Sequence, residues 1–411
     1  MKRLLRASVL AALTLATCAA GANARSLAYQ RPPPSITARS AILVEPSSGT
    51  IVYARAPYKR RAIASTTKMM TALLLLERRP LSHRIRAVNY SGSAGESTAG
   101  IEAGEKLTAA DMLRALLLPS ANEAAASIAV DVGGSQRGFV RMMNARAKRA
   151  GLRGTHFANP VGLDASGNYS TARDLAQLGI LLRRNKFARE TMNRSKATLY
   201  SGAHRRVVFN HNRLISSVAS MNGIKTGHTQ TAGYLLVGGA SRAKVQLISV
   251  VMAEPSESAR DADTLSLMRY GFSRYSSVRA VRKGQIYATA KVAGRSDQVN
   301  LVASQGADVV MRRGQRPTVV VSGVPDEIEG PKPRGSRVGF LSIRRRGKPV
   351  TRVALVTSKE VQAPALLATL TSGPLAPALV LLAIVGIAFA ATLSRKRRRR
   401  RRTVHFQGEP T

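Results

Sequence analysis

Cysteine and tryptophan are almost missing from this chain. Its 411 residues include one cysteine, Cys18, and no tryptophan, and aromatic residues make up only 4% of the sequence. A single cysteine excludes an intrachain disulfide and any metal site built from several thiolates. The six histidines show no metal-ligand spacing, so we expect no structural metal and no cofactor. The few aromatics also argue against a stacking platform for single-stranded nucleic acid.

Acidic side chains are scarce as well. The 22 Asp and Glu residues stand against 64 Lys and Arg residues, which gives a formal net charge of +42. Such an excess favours an anionic partner, such as nucleic acid, an acidic membrane surface or an anionic cell-wall polymer. What the chain does have is apolar sequence, because 44% of its residues are hydrophobic. That content and the chain length predict two or three folded units.

The N-terminal segment 1–24 has the pattern of a secretory signal peptide. A basic start precedes the apolar run Ala7–Ala20, and Ala22-Asn23-Ala24 forms a small-residue cleavage site. An uncleaved anchor helix is one alternative, and a lipoprotein box ending at Cys18 is another, weakened by Thr17 before the cysteine. Each alternative still takes the following domain out of the cytoplasm.

The C-terminal part of the chain predicts a membrane anchor. After a linker at 363–374, residues 375–393 are uncharged and apolar, and as a helix they would span about 28 Å, close to a bilayer core. Eight basic residues at 395–402 follow, which would stop transfer and hold a tail at 394–411 in the cytoplasm. We therefore expect folded domains outside the cytoplasmic membrane, held there by one transmembrane helix. The alternative, a buried helix with a nucleic-acid-binding tail, conflicts with the signal peptide.

Residues 25–277 read as one mixed domain. Its order is strands, then helices, then strands, which predicts helices packed on an antiparallel sheet: an α/β (α+β) sandwich with a helical insertion. The predicted strands are 41–44, 50–53, 234–238 and 245–251. The predicted helices run from about 65 to 76, 108 to 118, 123 to 133, 137 to 150 and 171 to 184.

Residues 278–362 have a different character. Short β-type runs such as Thr318–Val321 alternate with Gly- and Pro-containing turns such as Gly330-Pro331. This spacing predicts a small β-sandwich. No catalytic constellation is visible in this segment.

Ser65 and Lys68 stand three residues apart at the start of the apolar run Ala72–Leu76. Residues at this spacing share one face of a helix. A serine hydroxyl needs an adjacent base to become a nucleophile, and burial lowers the pKa of a lysine so that it can be that base. Taken alone, such a pair is more often an N-cap serine with a lysine on the first turn.

Two further motifs follow in order. Residues 120–122 read Ser-Ala-Asn and residues 225–227 read Lys-Thr-Gly. A trio of Ser-x-x-Lys, Ser-Asp-Asn and Lys-Thr-Gly is typical of β-lactamases and penicillin-binding proteins. Ala121 replaces the middle aspartate here, which leaves the two functional side chains in place.

The similarity extends beyond these three motifs. Segments 155–160, 162–164, 169–174 and 223–229 continue it, and over about residues 35–275 the chain resembles the D-alanyl-D-alanine carboxypeptidases, the low-molecular-mass penicillin-binding proteins among the serine peptidases. The resemblance implies a serine-transpeptidase/β-lactamase-like fold. It also implies removal of the terminal D-alanine from peptidoglycan stem peptides in bacteria, with β-lactams as inhibitors.

The resemblance implies catalytic roles at three positions, Ser65, Lys68 and Ser120, and a substrate-binding role at Asn122. Ser65 would attack the carbonyl between the two terminal D-alanines and form an acyl-enzyme, with Lys68 as general base. Ser120 would relay a proton to the leaving amine. Asn122 would orient Lys68 and the substrate amide.

Substrate-binding roles are implied at four more positions. Lys225 and Thr226 would hold the terminal carboxylate, and Gly227 would let the strand approach the substrate backbone. The backbone N–H groups of His228 and Ser65 would form the oxyanion hole. Among less specific candidates, Arg260 is a possible second carboxylate contact, Asp174 reads as a structural helix-start acid, and His156 reads as a core histidine.

Several alternatives stay open from the residues. A β-lactamase needs a deacylating carboxylate, and no Glu-x-x-Leu-Asn run follows Ser120. A D,D-endopeptidase or transpeptidase would use the same scaffold. A non-catalytic wall-binding module or a nucleic-acid-binding protein would belong to other classes. The expected partners are a peptidoglycan pentapeptide, β-lactams and, through 375–393, the membrane, with no nucleic acid.

Overall fold

The computed structural model describes residues 32–93 and 95–363, together with the positions 381, 382 and 385. Within these residues no helix combines the length and the apolar character that a membrane span requires. The signal peptide predicted at 1–24 and the tail at 394–411 lie outside the described residues. The apolar stretch 375–393 lies almost wholly outside them, so these three features stay predictions.

The chain divides into two compact units, with the boundary between Ser277 and Val278. The segment Val310–Gln315 groups with the first unit. The helices of the first unit are a 3₁₀ turn at Ala64–Thr67, α1 Lys68–Arg78, α2 Ala109–Leu117, α3 Asn122–Gly133, α4 Gln136–Arg149, α5 Ala172–Arg184, α6 Lys186–Met192, α7 Leu214–Ser217 and α8 Glu257–Arg274. Its strands are β1 Ser40–Glu45, β2 Thr50–Arg55, β3 Arg61–Ala62, β4 Arg84–Arg86, β5 Lys106–Thr108, β6 Tyr169–Ser170, β7 Lys196–Leu199, β8 Arg206–Phe209, β9 Met221–Thr229, β10 Gly233–Arg242 and β11 Val245–Glu254.

A five-stranded sheet organises the first unit, in the order β2-β1-β11-β10-β9. Each neighbouring pair in this sheet is antiparallel. Successive side chains of a strand face opposite sides of the sheet. Leu43 and Val251 therefore share a core with Leu267 of α8, whereas Ile42 and Val250 belong to the larger core that includes helices α1 to α5. The prediction of helices packed on an antiparallel sheet is confirmed.

The helix that carries the first motif is buried, as its uniformly apolar sequence predicts. Its residues are buried from Lys68 to Leu75. The start differs from the prediction, because Ser65 lies in the 3₁₀ turn and the α-helix begins at Lys68. Neither of these two helical segments has a side-chain N-cap. The alternative reading of Ser65 as a simple N-cap is therefore wrong.

Of two other helices, α2 was predicted from the sequence and α8 was not. Thr108 caps α2, since its side chain accepts a hydrogen bond from the Asp111 backbone at 3.2 Å; a threonine three residues before an acidic residue, as here, is a capping-box-like sequence that predicts such a helix start. Helix α8 was not predicted. Its charged residues Arg260, Asp261 and Asp263 break the apolar pattern on which such a prediction depends.

The second unit is built from β-strands. Its main sheet has the order β16-β18-β19-β14-β13-β17, in which β13 and β17 are parallel. Leu341 and Leu355 are fully buried in it. A C-terminal β-sheet domain is confirmed, and the second layer of a sandwich stays a prediction. The strands from the end of α8 onward are β12 Tyr275–Val281, β13 Ile286–Val292, β14 Gln298–Ala303, β15 Ala307–Arg312, β16 Thr318–Ser322, β17 Glu327–Ile328, β18 Arg337–Arg345 and β19 Lys348–Thr357.

Candidate active site

The Ser65–Lys68 pair lies at the junction of the 3₁₀ turn and α1. Lys68 Nζ is 2.9 Å from Ser65 Oγ, and the lysine side chain is fully buried. The short helical spacing brings the two groups together, because both belong to one turn of chain. The structure thus places a buried amine within hydrogen-bonding distance of a hydroxyl.

Two carbonyl oxygens also contact the Lys68 amine. Nζ lies 2.6 Å from Asn122 Oδ1 and 2.6 Å from the backbone oxygen of Val161. Both oxygens can only accept hydrogen bonds. A neutral amine has two N–H donors and one lone pair, so these two acceptors use both donors. The lone pair then faces Ser65 Oγ, which is the arrangement that proton removal from the hydroxyl requires.

Electrostatics favour this neutral form. Burial lowers the pKa of Lys68 well below its ordinary value of 10.5, and the positive charge of Lys225 lowers it further. The carboxylates of Glu123 and Glu96 act in the opposite direction, with smaller effects. Burial disfavours a charged amine because its hydration is lost. Lys68 can therefore accept a proton under conditions in which an exposed lysine could not.

The loop around Gly162 supplies the Val161 carbonyl. Asn159 Oδ1 accepts hydrogen bonds from the Val161 and Gly162 backbones at 3.2 and 2.6 Å. Gly162 has a φ of +92°, and a Cβ there would come within 2.2 Å of the Ala64 oxygen. Glycine is required at this point, since any side chain would push the loop away from the turn that carries Ser65.

The second motif lies between α2 and α3. Ser120 has a φ of +66°, a left-handed conformation that is unusual for a residue other than glycine. Its Oγ is buried and has no hydrogen-bond partner among the described residues. Asn122 begins α3 and points its amide oxygen at Lys68. A buried hydroxyl without a partner is available to a bound substrate.

The third motif lies on β9, the last strand in the order of the main sheet. A Cβ on Gly227 would lie 3.3 Å from the Ser65 backbone nitrogen, so the strand passes close to the serine. Lys225 is buried, and its Nζ donates to the Thr226 oxygen at 3.1 Å. The exposed His228 ring stacks on Tyr234 with 4.0 Å between the ring centroids.

The three motifs meet at one cavity of about 430 Å³. Among the residues predicted from sequence, its lining includes Ser65, Ser120, Thr226, Gly227 and His228. Lys68, Asn122 and Lys225 lie behind this lining as buried residues. The hydroxyl that would react is thus open to a ligand, while the two lysines are shielded from water.

The cavity lining also includes basic groups that the sequence motifs did not contain. His211, Arg213 and Arg260 line it. Burial, followed by the charges of Lys225 and Lys68, lowers the pKa of His211 to about 4, although Glu257 opposes this, so its ring is neutral at pH 7. Burial and the charge of Arg260 lower the pKa of Lys225 to about 7. An anionic ligand bound beside His211 and Lys225 would favour their protonated, positively charged forms.

The structure gives different results for the predicted roles of Arg260, Asp174 and His156. Arg260 reaches the cavity, but its guanidinium already pairs with Glu257 and Asp261, each at 2.8 Å. Asp174 accepts from the Gly154 backbone at 2.7 Å and lies at the start of α5, which agrees with a structural role. The prediction that His156 is a core residue is wrong: it is exposed, although its Nδ1 is 2.6 Å from the Gly167 oxygen. Its backbone forms an isolated β-bridge with Tyr169.

A hydroxyl beside a buried amine, in a cavity lined by basic groups, is the arrangement typical of a serine acyl-transfer enzyme with a lysine base. The model of the D-alanyl-D-alanine carboxypeptidase family of serine peptidases matches residues 27–256. A model of the C-terminal domain of penicillin-binding protein 5 matches residues 275–363. The chain belongs to the D-alanyl-D-alanine carboxypeptidase family.

Individual relatives agree with this membership. D-alanyl-D-alanine carboxypeptidase DacF of Bacillus subtilis is 30% identical over 88% of this chain and 94% of its own length. The solved structure of penicillin-binding protein 5 from Haemophilus influenzae is 26% identical, covers 81% of this chain and all of that chain, and has a TM-score of 0.58. The Streptomyces K15 DD-transpeptidase structure is 31% identical over 59% of this chain and all of that chain, with a TM-score of 0.56.

Proposed function

We propose that this chain is a serine-type D-alanyl-D-alanine carboxypeptidase that removes the terminal D-alanine from peptidoglycan stem peptides. The observation that carries the proposal is the Lys68 amine, which lies 2.9 Å from Ser65 Oγ with its other two contacts made to carbonyl oxygens. This arrangement orients a neutral lysine to take the hydroxyl proton. Family membership supplies the substrate class.

The reaction would begin with transfer of the Ser65 hydroxyl proton to Lys68. Oγ would then attack the carbonyl of the last peptide bond, while the backbone N–H groups of Ser65 and His228 stabilise the oxyanion. Collapse of the tetrahedral intermediate breaks the C–N bond. The leaving amine takes a proton from Lys68 through the Ser120 hydroxyl. Water, deprotonated by Lys68, then hydrolyses the ester and frees Ser65.

Substrate binding would use β9, the edge strand of the described sheet, and the basic groups that line the cavity. An extended peptide can add to an edge strand through backbone hydrogen bonds. The terminal carboxylate would then approach Lys225 and Thr226, with Arg260 as a further cation nearby. A bound carboxylate favours the charged lysine, so it raises the pKa of Lys225 in the complex. β-Lactams would acylate the same serine, because they present a reactive amide next to a carboxylate.

Mass spectrometry of reaction products tests the proposal. We expect a muramyl pentapeptide to lose one alanine, and pre-incubation with penicillin to prevent that loss. An unchanged pentapeptide would contradict the proposal.

A second candidate function is transpeptidation, which is favoured by the similarity to the Streptomyces K15 DD-transpeptidase. The same acyl-enzyme would then be resolved by an amine instead of water. Adding an acceptor amine to the pentapeptide reaction distinguishes the two, since transpeptidation gives a product that carries the acceptor. Cleavage of cross-linked muropeptides would identify endopeptidase activity.

We further propose that the protein is exported and held in the bacterial cytoplasmic membrane with the peptidase domain outside. The support is the signal-peptide pattern of 1–24, the apolar stretch 375–393 and the basic tail that follows it. Cell fractionation with immunoblotting should find the chain in the membrane fraction, and external protease should degrade the peptidase domain in spheroplasts. Recovery in the cytosolic fraction would contradict this proposal.

A further inference from the structure

Glu96 lies in the irregular segment between β4 and β5, and its carboxylate is held by three donors. Tyr90 Oη donates to Oε2 at 2.5 Å, and the Ser93 backbone donates to Oε1 at 2.9 Å. Asn122 Nδ2 donates to Oε2 at 2.5 Å. The third contact links this segment to a residue that also contacts Lys68.

The segment is fixed to the start of α3 by two further hydrogen bonds. The Asn122 backbone donates to the Ser97 oxygen at 2.8 Å, and the Ala99 backbone donates to Glu123 Oε1 at 2.6 Å. Glu96 therefore lies in a defined position beside the Asn122 side chain. Ser97, its neighbour in sequence, lines the cavity that contains Ser65.

We propose that Glu96 is a positioning residue for acyl transfer: its carboxylate fixes the orientation of the Asn122 amide and thereby directs the lone pair of Lys68 at Ser65. This inference rests on the proposed function. An ionised carboxylate can only accept hydrogen bonds, so the amide must turn its NH₂ group toward Glu96. The amide oxygen is then left to face Lys68.

The opposite amide orientation would change the chemistry of the site. Asn122 would present N–H donors to Lys68, and the neutral amine would use its lone pair to accept from them. The amine would then have only an N–H to offer Ser65 Oγ and could not remove its proton. The orientation of one amide thus decides whether the base is productive.

Glu96 is well suited to this task because it stays ionised. Burial acts to raise its pKa, but the hydrogen bonds from Tyr90, Ser93 and Asn122 outweigh that effect and hold the pKa below the ordinary value of 4.5. Its negative charge also acts on Lys68. The charged groups that influence Lys68 are Lys225 on β9, Glu123 on α3 and Glu96, and both glutamates raise the lysine pKa.

The test is the variant Glu96→Gln, measured as the second-order rate of acylation by a labelled penicillin across pH. A glutamine can face Asn122 with either a donor or an acceptor, so both amide orientations become accessible. We expect the rate to fall roughly 10- to 100-fold, the scale of a misplaced catalytic group. Loss of the charge should move the rising limb of the pH profile to lower pH, because one influence that raises the pKa of Lys68 is removed.

Two further variants separate positioning from folding. Glu102→Gln makes the same substitution at an exposed glutamate of the same segment and should leave rate and profile unchanged. Glu96→Asp keeps an acceptor-only carboxylate and should retain the wild-type position of the rising limb.

Two results would overturn the inference. One is a Glu96→Gln variant that is acylated at the wild-type rate. The other is a slower variant whose melting temperature falls while its rising limb stays in place, which would make Glu96 a structural residue only. Absence of acylation in the wild-type protein would instead count against the proposed function, so the two failures are distinguishable.

Discussion

Ser65→Ala is expected to abolish peptide hydrolysis and penicillin labelling together, each by at least about 10⁴-fold. The alanine has no oxygen to form the acyl bond, so no ester intermediate is possible. The cavity and the Lys68 contacts to Asn122 and Val161 do not depend on the hydroxyl. The fold should therefore persist, with a melting temperature close to that of the wild type.

Labelling with a fluorescent penicillin, followed by denaturing electrophoresis, measures this directly. Ser82→Ala is the matched control, because Ser82 is exposed and lies outside the cavity lining. The control should label as the wild type does. Stable labelling of the Ser65→Ala variant would show that another residue is the nucleophile.

Lys225→Met is expected to lower kcat/KM for a peptide with a free terminal carboxylate by roughly 10²- to 10³-fold, the usual cost of leaving one partner of a buried ion pair alone. Methionine keeps an unbranched chain of similar length, so the loss reports mainly on the charge. A peptide whose terminus is amidated lacks that carboxylate and should be affected much less. Equal losses for the two peptides would contradict the role of Lys225 as a carboxylate anchor.

The pH dependence of the same variant gives an independent result. In the wild type the pKa of Lys225 is about 7, and only the protonated form attracts a carboxylate, so kcat/KM should fall as pH rises through about 7. In the variant that falling limb should disappear. The rising limb should move to higher pH, because the positive charge that helps to lower the pKa of Lys68 is gone. Lys186→Met, at an exposed lysine on α6, should change neither limb.

The direction of the rising limb distinguishes two of the variants. Removing the positive neighbour in Lys225→Met shifts it to higher pH, whereas removing the negative neighbour in Glu96→Gln shifts it to lower pH. A general loss of stability would move neither limb in a specific direction. The pair of profiles therefore tests the electrostatic account of Lys68 as a whole.

Elements with a clear local pattern could be predicted from sequence. The apolar strands of the main sheet, the uniformly apolar α1 and the capped α2 are all present. Helix α8 was missed, because buried Arg260 and Asp263 interrupt its apolar face. Specific partners make these charges acceptable in the interior: the Thr37 and Ala38 backbones donate to Asp263, and Arg260 pairs with Glu257 and Asp261. A prediction from hydrophobic periodicity contains no information about such partners.

Close spacing along the chain was enough to predict part of the chemistry. Ser65 and Lys68 meet because three residues of helical chain bring them together, and the order of the three motifs was enough to indicate the family. The groups that surround the Lys68 amine, in contrast, are brought there by tertiary packing. The Val161 carbonyl and the Glu96 carboxylate come from irregular segments with no periodic signal, and they reach Lys68 and Asn122 through packing between distant parts of the chain. Since the state of a buried lysine depends on every neighbouring dipole and charge, its reactivity is a property of the folded molecule.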